Sequence, residues 1–105
     1  MLRHIVLWTL HRPEDAPAFA AELGTCKDLV PGMREFDIGM RREGLDATVD
    51  VVLVSSFDDR AALDAYVSHP HHQAVVARLA TMRASRSVID FFNEASRIDI
   101  PSGDA

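Results

Sequence analysis

The segment Leu2 to Leu10 is apolar at nearly every position, and Thr48 to Phe57 repeats the pattern with Val49, Val51, Val52, Leu53 and Val54. Successive side chains of a strand point to opposite faces, so such segments are apolar on both sides. In the first, Leu2, His4, Val6, Trp8 and Leu10 share one face, while Ile5, Leu7 and Thr9 share the other. A sheet of such strands needs cover twice. How much helix the chain supplies therefore decides its architecture.

Two helical regions are available. His11-Arg12-Pro13-Glu14-Asp15 breaks the first strand and opens a helix whose early acids suit its N-terminus. Phe19, Leu23, Cys26 and Val30 recur at helical spacing along one face, and Pro31-Gly32 ends the run. Met33 to Arg42 is extended, with Met33, Glu35, Asp37 and Gly39 alternating against Phe36, Ile38 and Met40. Gly44-Leu45-Asp46 turns the chain into the strand Thr48–Phe57. Asp58-Asp59 caps a second helix with Ala62, Leu63, Tyr66 and Val67 inward. Pro70 interrupts it, and Ala74, Val75, Leu79 and Met82 continue the stripe. Ser87 to Asn93 is the last strand.

The order β-α-β-β-α-β is the ferredoxin-like pattern, an α+β fold with both helices on one face of a four-stranded antiparallel sheet. Three of the four strands still carry apolar residues on both faces. Whichever of Trp8, Phe36 and Phe91 point away from the helices would form a patch that a lone subunit rarely exposes. The pattern predicts a homodimer, two sheets face to face in a dimeric α+β barrel. The domain is expected over residues 1–94, with 95–105 a loosely held polar tail.

Composition narrows the partners. The net charge is −5 and the basic residues are scattered, so no nucleic acid is expected as a partner. The lone Cys26 rules out an intrachain disulfide and suits a reducing, cytoplasmic setting. The run Ile5 to Leu10 is too short to span a membrane and lacks a cleavage site after it. No Gly-rich phosphate loop occurs, and no cofactor is expected.

Chemistry concentrates in Tyr66-Val67-Ser68-His69-Pro70-His71-His72, which sets three histidines beside the only tyrosine. Imidazole and phenol move protons near neutral pH. Six residues apart in one unbroken helix, Tyr66 and His72 would lie on opposite flanks; the break at Pro70 lets both face one cavity. There the imidazole could take a proton from a carbon between two carbonyls while the phenol bonds the enolate oxygen. The bland alternative is that Tyr66 fills the core edge and His72 bonds a backbone carbonyl. His69, before a proline, is expected to end the first helical piece and bond its last carbonyls. His71 is expected at the surface. A metal held by these three histidines is not expected, since no carboxylate or i, i+4 pair supports it. His4, on an otherwise apolar strand face, is either a core histidine satisfied by one hydrogen bond or a pocket residue. Trp8 is expected in the dimer core or the pocket wall, and Asp50 and Asp90 are polar puzzles within strands. Cys26, on the buried helix stripe, reads as inert packing. The candidate catalytic pair is Tyr66 and His72; His4, Trp8 and His69 are the candidate ligand contacts.

The opening Arg3-His4-Ile5-Val6, the Val30-Pro31-Gly32-Met33 joint and the Tyr66-x-x-His69-Pro70-x-His72 element together resemble the stress-responsive A/B barrel (Dabb) domain over residues 1 to 93. The resemblance implies a dimeric α+β barrel, in agreement with the two-faced strands. A plant member of that family is a polyketide cyclase, and its proton-transfer pair corresponds to Tyr66 and His72, its pocket-lining histidine to His4. His71 is an addition to the pattern. The implied function is a homodimeric barrel binding an apolar, carbonyl-bearing small molecule, with cofactor-free cyclase or isomerase chemistry. The alternatives are a non-catalytic stress or assembly protein, or the cofactor-free oxygenation or haem handling of related barrels.

Overall fold

The computed structural model describes residues 1–93, so the expected boundary at 94 and the polar tail lie outside the described residues. The elements run β1 (Leu2–Leu10), a 3-10 turn (Pro13–Asp15), α1 (Ala16–Gly24), β2 (Met33–Met40), β3 (Val51–Phe57), α2 (Arg60–Ser68), α3 (Pro70–Leu79) and β4 (Arg83–Phe92). The strands form one antiparallel sheet in the order β2-β3-β1-β4. This is the ferredoxin-like βαββαβ fold, its second helical region split at Pro70. No helix among the described residues is long and apolar enough to cross a membrane.

The core lies between sheet and helices. Leu2, Val6, Trp8 and Leu10 of β1 and Val51, Leu53 and Phe57 of β3 meet Phe19 and Leu23 of α1, Leu63 and Tyr66 of α2, and Val75 and Leu79 of α3. Trp8 packs edge-to-face on Phe19, with centroids 5.1 Å apart. Trp8 and Phe36 thus belong to the helix side; of the three aromatics considered for the bare face, Phe91 alone lies there. Strand register puts Ile5, Leu7, Val52, Val54, Ile89 and Phe91 together on that uncovered face.

Several local details depart from the pattern read in the sequence, among them Val67, which is exposed rather than inward, and β3, which starts at Val51 rather than Thr48. Helix α1 stops at Gly24 instead of continuing to Val30. Residues 25–27 tighten into successive i→i−3 bonds, and Thr25 Oγ1 also donates to the Glu22 carbonyl. That coil still turns Cys26 fully inward. In β2 an irregularity between Met33 and Glu35 moves Met33 onto the helix side with Phe36 and Ile38. Ala74 on α3 is exposed, while Val75 and Leu79 are buried. Strand β4 begins at Arg83, four residues before the expected Ser87, because its polar first half carries no hydrophobic signal yet pairs along β1.

Gly32, between α1 and β2, adopts φ +90°, and a Cβ there would stand 2.9 Å from Ala62 Cβ. Its carbonyl accepts from Asp58 N–H at the start of the second helical region. Gly32→Ala is expected to lose about 2 kcal/mol of stability from the left-handed backbone and the clash together, measured by urea denaturation. An unchanged midpoint would refute that cost.

Candidate active-site cavity

A cavity of about 450 Å³ opens between β1, β4 and the paired helices α2 and α3. That volume suits a small organic molecule. Its walls are largely apolar, formed by Val6, Trp8, Leu23, Leu53, Val75 and Leu79. Polar groups enter from four sides as His4, Tyr66, His72 and Gln73, with Arg83 and Arg86 on β4.

The helix break builds this arrangement. Asp59 accepts from Ala62 N–H and starts α2 cleanly. Pro70 takes the first position of α3, where its missing N–H costs nothing. His69 between them is extended; its N–H donates to the Tyr66 carbonyl, and its Nδ1 accepts from His71 N–H at 3.0 Å. His69 is therefore an N-cap to α3 and is not among the cavity residues, which corrects its reading as a ligand contact: both its backbone and its ring are committed to the junction. His71 bonds through Nε2 to Thr25 Oγ1 at 2.8 Å, tying α3 to the coil after α1. The three histidines thus diverge, and no metal-holding group of His, Cys, Asp or Glu occurs among the described residues.

Tyr66 and His72 do converge. Their rings lie 4.4 Å apart, centroid to centroid, tilted by 51°. Tyr66 is buried, against Phe57 at 5.3 Å, and its hydroxyl has no oxygen or nitrogen partner among the described residues, only the weakly bonding Cys26 thiol beside it. Burial, with the Cys26 thiol beside it, pushes the phenol well above its ordinary pKa, so it stays protonated and keeps its O–H available to donate. His72 Nδ1 lies 3.0 Å from the Val67 carbonyl. A carbonyl only accepts, so Nδ1 carries the proton and the neutral ring keeps its lone pair on Nε2. Burial lowers the His72 pKa more than the Val67 carbonyl raises it, and the positive charge of Arg86 acts in the same direction as burial. The bond to a backbone carbonyl is the one the bland alternative foresaw; here it also fixes the tautomer.

His4 is buried, with Nδ1 2.5 Å from Asp90 Oδ1 and its ring edge-on to Tyr66 at 6.4 Å. Both readings of His4 hold at once, because a satisfied core histidine also forms cavity wall. The Asp90 puzzle is resolved by register, since His4 and Asp90 are direct partners across β1 and β4. Asp50 does something else: its Oδ2 accepts from Leu10 N–H at 2.8 Å and closes the end of the β1–β3 ladder. Arg83 and Arg86 were missed in the sequence because they precede the segment read as strand. The signal that could have found them is the full-length antiparallel pairing of β4, which sets Arg86 opposite Trp8.

The family model of the Stress responsive A/B Barrel Domain, Dabb, matches residues 2–93. No curated protein matches the chain. Among solved structures, a dimeric ferredoxin-like protein of unknown function from Thermobifida fusca is similar at 25% identity and TM-score 0.75, covering 86% of this chain and 88% of that one. A dabb family protein with a ferredoxin-like fold from Mesorhizobium loti matches at 23% identity and TM-score 0.72, covering 90% of this chain and 97% of that chain. A structure described as an antibiotic biosynthesis monooxygenase has the same fold at 19% identity and TM-score 0.71, covering 90% of this chain and 99% of its own.

Proposed function

Since the chain belongs to the stress-responsive A/B barrel domain family, we propose that it forms a homodimeric barrel whose cavity binds an apolar, carbonyl-bearing small molecule and enolises it. His72 is the base and Tyr66 the hydrogen-bond donor. The observation that carries this reading is a buried tyrosine whose ring packs against an imidazole with its unprotonated nitrogen free, both residues lining one void.

The step is simple. His72 Nε2 takes a proton from a carbon flanked by two carbonyls, and the electrons of that C–H bond move into an enolate. Tyr66 donates its O–H to the enolate oxygen, the oxygen partner it lacks among the described residues. Burial moves the two groups in opposite functional directions, the phenol toward permanent donor and the imidazole toward permanent base. His4, held by Asp90, supplies wall and a second imidazole. The enolate can close on a second carbonyl of the same molecule, the resulting alkoxide taking the proton back from His72, as in an aldol cyclisation, or it can take that proton at another carbon, as in an isomerisation. The homodimer is supported by the bare apolar sheet face and by relatives described as dimeric.

The test is deuterium washout from C2 of a 3-oxodecanoyl N-acetylcysteamine thioester, followed by NMR. His72→Gln should slow the protein-dependent rate about 100-fold. The active form is the neutral ring and its pKa lies below the ordinary value near 6.5. Washout should therefore climb with pH through that lowered pKa and be level by neutrality. A rate no faster than buffer would remove the chemistry and leave the reading of a non-catalytic barrel with structural histidines.

A further inference from the structure

Most arginines of this acidic chain are neutralised where they stand. Arg3, Arg12, Arg34, Arg41, Arg60 and Arg78 each face a carboxylate of Glu35, Glu14, Asp58, Asp50, Asp64 or Glu22 respectively. Among the described residues Arg42, Arg83 and Arg86 have no such partner, and the last two both line the cavity. The acid on the same face of β4, Asp90, is already engaged by His4. Two guanidinium groups with no ion-pair partner among the described residues thus border an apolar pocket in a protein of net charge −5.

From this arrangement we propose that the ligand of the cavity is an apolar molecule ending in a carboxylate, its chain among Leu23, Leu53, Val75 and Leu79 and its anion on Arg83 and Arg86. The inference rests on the proposed small-molecule cavity and narrows what it holds. Guanidinium groups recognise a carboxylate through paired, charge-assisted N–H···O bonds, while an apolar wall selects the rest of the molecule. Arg86 opposite Trp8 and His4 opposite Asp90 stand on the same face of the β1–β4 ladder, so an anion anchored on β4 would lie beside the Tyr66–His72 pair. A carbonyl further along the same chain then comes within the reach of that pair. The class so defined is the medium-chain oxo-carboxylate.

Isothermal titration with decanoate and with its neutral isostere decanamide tests this. Wild-type protein should bind decanoate at least about tenfold more tightly than decanamide, as expected for a charge-assisted contact. The preference should vanish in Arg83→Gln/Arg86→Gln, whose melting temperature is measured alongside, and persist in Arg42→Gln, since Arg42 is not among the residues lining the cavity. Equal binding of both probes to wild-type protein would overturn the anion site while leaving the cavity reading intact. Decanoate affinity unchanged in the double variant would overturn it too. Failure of both probes to bind would take the cavity reading down with it.

Discussion

Tyr66→Phe should lower deuterium washout from the thioester about 100-fold while leaving the fold as stable as before, or more stable by about 1 kcal/mol. The two halves of this result come from one atom. The hydroxyl is buried with no oxygen or nitrogen partner among the described residues and only the weakly bonding Cys26 thiol beside it, so folding strips it of water with little compensation. Phenylalanine keeps the ring that packs on Phe57 and His72 and removes only that liability. A tyrosine retained purely for packing would give no change in rate. One whose hydroxyl held the core together would lose stability on removal. Urea denaturation and the washout assay on the same preparation separate the three cases, and a normal rate in the variant would end the donor role of Tyr66.

Ile89→Arg is expected to convert a dimer to a monomer in sedimentation, with little loss of protomer stability. Ile89 is 54% exposed in the single subunit, so a charge there costs the isolated fold little. Its neighbour in register is Ile5, and the patch continues through Leu7, Val52 and Val54. Burying an arginine in the middle of two such faces, without a partner, is costly. Trp8→Glu is not equivalent. Trp8 is 6% exposed and packed on Phe19, so its loss should unfold the core, by about 3–5 kcal/mol, before it reports on association. Unchanged sedimentation of Ile89→Arg would mean that the bare face is not the pairing surface.

The fold was legible because it is written in periodicities. Short runs apolar at nearly every position gave β1 and β3, helical spacing gave α2 and α3, and Pro70 marked their junction. The convergence of Tyr66 and His72 could be argued from that proline alone. What escaped was set by pairing across the sheet. Nothing local to Asp90 says that it will meet His4, because the contact depends on how β4 registers on β1. Arg83 and Arg86 lay in a stretch whose polar edge-strand residues look like loop until β1 is placed beside them. The side-chain role of His69 was misjudged for a similar reason: a ring before a proline can turn forward onto the next helix as easily as backward onto the last.

Strand β4 carries Arg86 and Asp90 on one side and Ile89 and Phe91 on the other. Those groups alternate along a single run of peptide units hydrogen-bonded to β1, so they cannot move independently. In the proposed dimer, a push on the bare face would be a push on the chamber wall, delivered through the thickness of one backbone. Mutual fit of such twins and shape of the hollow would therefore be two readings of the same plank.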